Sequence, residues 1–184
     1  MLGKQSSWPT GQRVDESSAS NESQILVRTY KYDGAEHRSW RAKVIRNEFP
    51  LLVLDAAFTE DIAYSRLELQ FYLRSRSCRT LVSVDADEIV GFVVACSEPR
   101  KLGHIITIDV TPHRQRQQIG SSLLAEIERW LWHQGAEAIY LETPVDDAGA
   151  KGFYDRHGYF VFDRFEGYYN DSLDALVMMK TSKR

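Results

Sequence analysis

The fold is decided by residues 103–143, which read GHIITIDVTPHRQRQQIGSSLLAEIERWLWHQGAEAIYLET. The β-branched run Gly103–Val110 predicts a strand. Apolar residues spaced four apart predict a helix over Ile119–Gln134, and Gly135 stands where such a helix ends. A further strand is predicted over Ala138–Thr143. A strand, a crossover helix and a second strand make one βαβ unit, so we expect these two strands to be parallel.

Two hairpins are predicted upstream of this unit. The first begins at Ile25 and turns at Asp33 and Gly34, because Asp-Gly between β-prone runs favours a tight turn. The second joins Thr80–Val84 to Ile89–Cys96 through a short polar turn. Each hairpin contributes two antiparallel strands to the expected sheet.

Two short helices are predicted between the hairpins. The first covers Phe49–Phe58, with a proline in its first turn. The second starts at Ser65, where the run SRLE has the pattern of a capping box. We expect this second helix to turn Leu67, Phe71 and Leu73 towards the core.

The carboxyl-terminal part adds one helix and two strands. The helix is predicted over Ala148–Arg156, with Asp146 or Asp147 as its cap. The closing strands are predicted over Tyr159–Phe165 and Ala175–Met179. All these elements together predict an α+β fold (an α/β mixed sheet) with a central twisted sheet of about seven strands flanked by about four helices.

Composition limits the class of protein. The chain has 184 residues, 23 basic and 26 acidic side chains and a net charge of −3, which argues against a nucleic-acid binder held by bulk charge. No apolar run is long enough to span a membrane. The serine-rich stretch 1–24 is predicted to be a disordered tail, and residues 25–184 a single domain.

The cysteine pattern bears on compartment and metal binding. Cys78 and Cys96 are too few for a disulfide framework, and no His/Cys spacing indicates a zinc site. The N-terminus lacks the apolar segment of a secretory signal. We therefore expect a cytoplasmic protein that holds no metal.

The segment DVTPHRQRQQIG, residues 109–120, carries the chemistry. It is a polar loop that connects a predicted strand to the start of the long helix. The first turn of a helix has unpaired N–H groups at its positive end. Arg114 and Arg116 add positive charge beside it. A pyrophosphate is the natural ligand for such a loop, although an ordinary basic strand-to-helix loop remains an equally open interpretation.

The motifs in this region resemble those of a known family. Val110-x-Pro112, the run QRQQIG over residues 115–120 and then Leu123-Leu124 are similar to motif A of the GCN5-related N-acetyltransferase (GNAT) superfamily. Downstream, DAGAKGFYDRHGY over residues 147–159 resembles the family pattern Asn-x-x-Ala-x-x-Leu-Tyr-x-x-x-Gly-Phe. The resemblance extends roughly from Trp40 to Lys180.

The C-terminal end resembles one branch of that superfamily. The pair Tyr168-Tyr169, then Asp174-Ala175-Leu176, then Met178 or Met179 and Lys180 look like the ribosomal-protein-alanine N-acetyltransferases, the RimI-like branch. Enzymes of this branch acetylate the α-amino group at a protein N-terminus. The resemblance therefore implies a peptide amine as the acceptor.

The resemblance implies a GNAT-like fold with acetyl-CoA in a gap of the sheet. The two strands that end at Val110 and Thr143 would splay apart, and the acetyl donor would lie between them. The residues implied to contact it are Ile108, Asp109, Val110, Gln115, Arg116, Gln117, Gln118, Ile119, Gly120, Ser121, Asp147 and Tyr154.

Acetyl transfer to an amine needs one group that accepts a proton and one that donates a proton. The resemblance implies that Glu142 is the base and that Tyr154 is the acid acting on the coenzyme sulfur. Tyr168, Tyr169 and Tyr64 are the implied substrate contacts. The structural alternatives are a solvated strand-end carboxylate, a packing tyrosine on a short helix and a surface patch of tyrosines.

Two histidines stay outside the predicted catalytic set. His104 is interpreted as a polar residue at a strand edge, and His113 as a loop residue. Two positions depart from the family pattern. Gln118 replaces the first loop glycine, and Asp147 replaces the asparagine; the sequence leaves open whether these changes weaken the binding of acetyl-CoA.

The sequence thus predicts an acetyl-CoA-dependent N-acetyltransferase that acts on a protein or peptide N-terminal α-amine by direct attack in a ternary complex. One alternative is acetylation of a small amine, such as a polyamine, an amino acid or an antibiotic. Another is a module that binds acyl-CoA as a sensor without turnover. The expected partner is the amine acceptor, with no nucleic acid and no membrane, and a homodimer remains open.

Overall fold

The computed structural model describes residues 25–31, 39–45, 64–85, 88–169 and 172–182. Its eight strands form one mixed sheet, in the order β2-β1-β3-β4-β5-β6-β8-β7. The strands are β1 (Ile25–Lys31), β2 (Ser39–Ile45), β3 (Cys78–Asp85), β4 (Glu88–Glu98), β5 (Leu102–Val110), β6 (Ala138–Pro144), β7 (Phe160–Tyr169) and β8 (Leu173–Thr181). The α-helices of the described ranges are α1 (Arg66–Arg74), α2 (Ile119–His133) and α3 (Ala148–Arg156).

This architecture confirms the predicted α+β class. Both predicted strand pairs are present, since β1 pairs antiparallel with β2 and β3 pairs antiparallel with β4. The predicted turn at Asp33 and Gly34 lies outside the described residues. The sheet has eight strands where about seven were expected. The helix predicted over Phe49–Phe58 and the tail 1–24 lie outside the described residues. No helix in the described ranges is long and apolar enough to cross a bilayer.

The βαβ unit folds as predicted, with β5 parallel to β6. The two strands pair over only three positions, Leu102 with Ala138, Gly103 with Ile139 and His104 with Tyr140. On its other side, β5 shifts register against β4 between Val94 and Ala95, so that Ile106 is an extra residue on β5. A bulge of this kind bends a strand. Beyond His104, β5 and β6 therefore separate and leave a gap in the sheet.

Helix α2 covers one face of the sheet. Its apolar stripe, Leu123, Ile127 and Leu131, is fully buried in the main core cluster together with Ile105 and Ile139 of the sheet. The approach is close at Gly103, where an added Cβ would lie 2.8 Å from a Leu131 methyl carbon. A glycine at this position is therefore required by the packing of α2 on β5.

Helix α1 covers the opposite face, and one prediction about it is wrong. The capping box at Ser65 is present, with reciprocal bonds between Ser65 and Glu68. However, Leu67 and Phe71 are 78% and 54% exposed, whereas Leu69 is fully buried and Leu73 packs at the edge of the core. Residues two positions apart on a helix point about 200° apart, so only one of the two stripes can face the sheet.

The cysteines lie opposite each other on neighbouring strands. Cys78 of β3 and Cys96 of β4 are register partners and form one disulfide bond. Two cysteines are too few for a disulfide framework, and this single bond is a cross-strand link. It ties the start of β3 to the far end of β4.

The orientation of α1 yields a stability prediction. We expect Leu69→Ala to lower the free energy of unfolding by about 2–4 kcal/mol, because it leaves a cavity between α1 and the sheet. Leu67→Ala, two residues away on the exposed side, is expected to change it by less than about 0.5 kcal/mol. Urea unfolding followed by circular dichroism measures both, and equal effects of the two variants would contradict the orientation described here.

Candidate active site

A cavity of about 940 Å³ opens where β5 and β6 separate. It is bounded by the ends of these strands, the loop before α2, the start of α3 and the end of β7. Its walls include most of the predicted site residues: Tyr64, Ile108, Asp109, Val110, Gln115, Arg116, Gln118, Gly120, Ser121, Glu142, Asp147, Tyr154, Tyr168 and Tyr169. Two predicted residues are not in its walls, since Ile119 is buried in the core and the Gln117 side chain bonds to the backbone oxygen of His113.

The loop before α2 presents the amide end of that helix to the cavity. The first helical bond runs from Ser122 N to Gln118 O, 2.9 Å, so the preceding amides have no partner within the helix. Arg116 lines the cavity beside them. Arg114 forms an ion pair with Asp85 at the end of β3, which ties the loop to the sheet. The arrangement suits an anion such as a pyrophosphate.

The two departures from the family pattern have distinct local roles. Gln118 has φ 63°, in the left-handed region, and it is the N-cap of α2 without a side-chain capping bond. It thus adopts the backbone conformation that glycine adopts most easily. Asp147 is the N-cap of α3, where its Oδ1 accepts a hydrogen bond from Ala150 N, 2.8 Å.

Tyr154 projects from α3 into the cavity and is only 6% exposed. Burial raises the pKa of its phenol well above its usual range, and the nearby Asp109 carboxylate raises it further. Asp109 in turn accepts a hydrogen bond from Thr107 Oγ1, 2.7 Å. The Tyr154 hydroxyl therefore keeps its proton at neutral pH and can donate it inside the cavity.

Glu142 belongs to a network of polar side chains at the closed end of the gap. Its Oε2 lies 2.8 Å from His104 Nε2, and His104 Nδ1 lies 3.2 Å from Glu98 Oε1. The Tyr140 hydroxyl donates to Glu98 Oε2 at 2.8 Å, and its ring stacks on the His104 ring with centroids 4.3 Å apart. The imidazole on β5 is thus held between two carboxylates, that of Glu98 on β4 and that of Glu142 on β6.

The charge of His104 follows from opposing effects. Burial by itself lowers the pKa of an imidazole, but the hydrogen bonds and charges of Glu142 and Glu98 outweigh it and raise the pKa of His104 to about 9. At neutral pH both ring nitrogens therefore carry protons, and each can donate to one carboxylate.

The interpretation of His104 as a polar residue at a strand edge misses this network. A parallel register that sets His104 opposite Tyr140 brings it towards Glu142, and the parallel pairing of β5 and β6 was itself predicted. The network could not be predicted because a sequence pattern fixes the register between two strands only to within one or two residues.

The tyrosines gather above this network. The Tyr64 hydroxyl donates to the backbone oxygen of Ile106, the extra residue of the β5 bulge, at 3.1 Å. The Tyr168 and Tyr169 rings meet edge to face with centroids 4.9 Å apart. Both stand on the last residues of β7, which runs farther than the predicted end at Phe165. In the part of the chain that the structure describes, no group of His, Cys, Asp and Glu could bind a metal ion.

Comparisons with known proteins agree with this architecture. The model of the acetyltransferase (GNAT) family matches residues 43–159. N-alpha-acetyltransferase 30 of Schizosaccharomyces pombe is 26% identical over 116 residues, which cover 61% of this chain and 77% of that protein.

Two solved structures share the fold. Ard1 from Thermoplasma volcanium superposes with a TM-score of 0.66 at 22% identity, covering 75% of this chain and 95% of that one. The NatC complex bound to Gag peptide and CoA contains a chain that superposes with a TM-score of 0.65 at 19% identity, covering 73% of this chain and 90% of that one.

The left-handed conformation of Gln118 yields a second prediction. We expect Gln118→Gly to raise the free energy of unfolding by about 0.5–1 kcal/mol, because the relief of left-handed strain exceeds the added freedom of the unfolded chain. Gln117→Gly, at a neighbouring position without a positive φ, is expected to lower it. Urea unfolding measures the free energy of unfolding of both variants, and a loss of stability in both would contradict the prediction.

Proposed function

Since this chain belongs to the acetyltransferase (GNAT) family and is an N-acetyltransferase, we propose that it transfers an acetyl group from acetyl-CoA to the N-terminal α-amine of a protein or peptide. The observation that carries the proposal is that Glu142 and Tyr154 line one cavity, which also holds the amide end of α2. A proton acceptor, a proton donor and an anion site thus share one space.

The donor end of the cavity fits acetyl-CoA. The amides of Gly120 and Ser121 and the Arg116 guanidinium are placed for a pyrophosphate. The ladder between β5 and β6 ends at His104 and Tyr140, and the β5 edge beyond it lines the cavity, where its backbone can bind the amides of a pantetheine arm. When bound, acetyl-CoA supplies an acetyl group activated as a thioester.

The acceptor end is acidic and aromatic. Glu142 attracts an ammonium group, and the rings of Tyr64, Tyr168 and Tyr169 offer apolar faces with polar tips to the first residues of a peptide. N-alpha-acetyltransferase 30 by name acts on α-amines, and the NatC structure holds a peptide together with CoA. The name of the first of these relatives supports the choice of an α-amine as the acceptor.

The residues divide the proton transfers between them. Glu142, held by His104, takes the proton that the α-ammonium must lose before its nitrogen can attack the acetyl carbon. Tyr154, protonated because of its burial, gives a proton to the departing sulfur. The α-amine of a peptide titrates near pH 8, so about a tenth of it is already neutral at pH 7. Direct attack requires no covalent intermediate on the protein.

Three further expectations stay predictions: membership of the RimI-like branch, a homodimer and a cytoplasmic location. The disulfide between Cys78 and Cys96 bears on the last, because such bonds are rare in reducing compartments. Alkylation of thiols during cell lysis, followed by mass spectrometry, reports whether this bond exists at the natural location of the protein.

The role assignment yields a third prediction. We expect Tyr154→Phe and Glu142→Gln each to lower kcat about a hundredfold or more, because each removes a proton-transfer group. The affinity for acetyl-CoA, measured by calorimetry, should change by less than about threefold, since neither group binds the pyrophosphate. Tyr159→Phe is the matched control, because its ring contacts Tyr154 while its hydroxyl faces Glu128. Unchanged kcat in both variants would overturn these roles.

The acceptor class is tested with matched substrates. We expect mass spectrometry to find the acetyl group on the α-amine of a free peptide, and none on the same peptide when its N-terminus is blocked and only a lysine amine remains. A polyamine and an aminoglycoside serve as small-amine substrates, and preferential turnover of either would contradict the proposal. Acetyl-CoA binding without turnover of any amine would favour the sensor alternative.

A further inference from the structure

Glu98 lies outside the cavity walls, yet both of its carboxylate oxygens are engaged by side chains at the closed end of the gap. Its Oε1 lies 3.2 Å from His104 Nδ1, and its Oε2 accepts the hydrogen bond from the Tyr140 hydroxyl at 2.8 Å. The two partners belong to β5 and β6, the strands that separate. Glu98, the last residue of β4, therefore contacts both walls of the gap at the point where they meet.

The imidazole between the carboxylates has one orientation that satisfies all of its partners. His104 and Tyr140 are the last pair of the short parallel ladder, and their rings lie 12° from parallel. With Nδ1 directed at Glu98, Nε2 is directed at Glu142. A flip of the ring would break both contacts. Which nitrogen of a histidine binds or carries a proton is commonly set by the partner of the other nitrogen.

We propose that Glu98 is a positioning residue for acetyl transfer: by binding Nδ1 of His104 it directs Nε2 at Glu142 and so fixes the Glu142 carboxylate towards the acceptor amine. The proposal rests on the function proposed above. It follows the general arrangement in which a catalytic base is oriented by a neighbour that is itself oriented by a third group.

The charges around His104 support this role. The titratable groups that face it are Glu98 of β4 and Glu142 and Tyr140 of β6, with Tyr64 and Tyr72 on the α1 side and Tyr168 of β7 near the same carboxylates. The tyrosine pKa values are all raised above their usual range, chiefly by burial. At neutral pH the negative charges at His104 are therefore the two glutamates.

Removal of one glutamate should change the titration of His104. With both carboxylates present, the pKa of His104 is raised to about 9, so the imidazolium that donates to both sides persists through neutral pH and is lost as the pH rises through that value. Without the Glu98 charge, burial opposes a single carboxylate, and the imidazolium is lost at lower pH. The neutral ring then donates from only one nitrogen, and its hold on Glu142 weakens.

The experiment compares Glu98→Gln with Glu88→Gln, an exposed glutamate at the opposite end of the same strand. NMR of ¹⁵N-labelled protein follows the imidazole nitrogens with pH, and His104→Gln assigns the signal. We expect His104 to titrate near pH 9 in the wild type and in Glu88→Gln. In Glu98→Gln the midpoint should fall by about 1–2 pH units, as expected when one close opposite charge is removed.

The kinetic arm measures whether this positioning matters for the reaction. In Glu98→Gln we expect kcat for the peptide to fall about tenfold to a hundredfold, with the KM for acetyl-CoA unchanged, because a misplaced base affects the chemical step and not the donor site. The alkaline limb of the rate profile should move to lower pH together with the His104 titration. Glu88→Gln should leave all three quantities as in the wild type.

A second variant keeps the test decisive if Glu98→Gln does not fold. Tyr140→Phe removes one of the two hydrogen bonds on Glu98 and leaves its carboxylate free to turn away from His104 Nδ1, so we expect kcat to fall as in Glu98→Gln but by less. If the wild type is active, the proposal is overturned when Glu98→Gln shows the same His104 titration and the same kcat as Glu88→Gln. A wild type that acetylates no amine refutes the proposed function itself, and this proposal with it.

Discussion

The early separation of β5 from β6 is the constraint on which the rest of the molecule depends. The two strands pair for three residues, and the bulge at Ile106 then carries β5 away. Neighbouring strands of a sheet pair through their backbone groups, so a ligand with amides of its own can pair with the β5 edge where the ladder to β6 has ended. Tyr64 donates to the Ile106 oxygen at the bulge where β5 turns away.

The gap separates two electrostatic environments. At one end stand the helix amides of α2 and Arg116, and at the other stand Glu142 and Glu98 with the imidazole between them. An anionic donor and a cationic acceptor are thereby drawn to opposite ends of one cavity. Tyr154 lines the same cavity. The positive end of the site is thus supplied by α2 and the loop before it, and the negative end by the strands.

Local patterns were sufficient to predict much of this structure. The capping box at Ser65, the crossover unit around α2 and the hairpin of β3 with β4 depend on neighbouring residues, and all three are confirmed. The face that α1 turns to the sheet was mispredicted, because Leu67 and Leu69 begin two competing apolar stripes and only packing decides between them. The network of Glu98, His104 and Glu142 escaped prediction because it depends on the register of three strands, and no local pattern encodes a register.

The cross-strand bond between Cys78 and Cys96 has a practical consequence for spectroscopy. It uses both cysteines of the chain, so the oxidised protein carries no sulfhydryl group. A cysteine introduced on each side of the cavity mouth would offer unique attachment points for spin labels, without removal of either native cysteine. Distances between such labels would report how far the two walls move when each substrate enters.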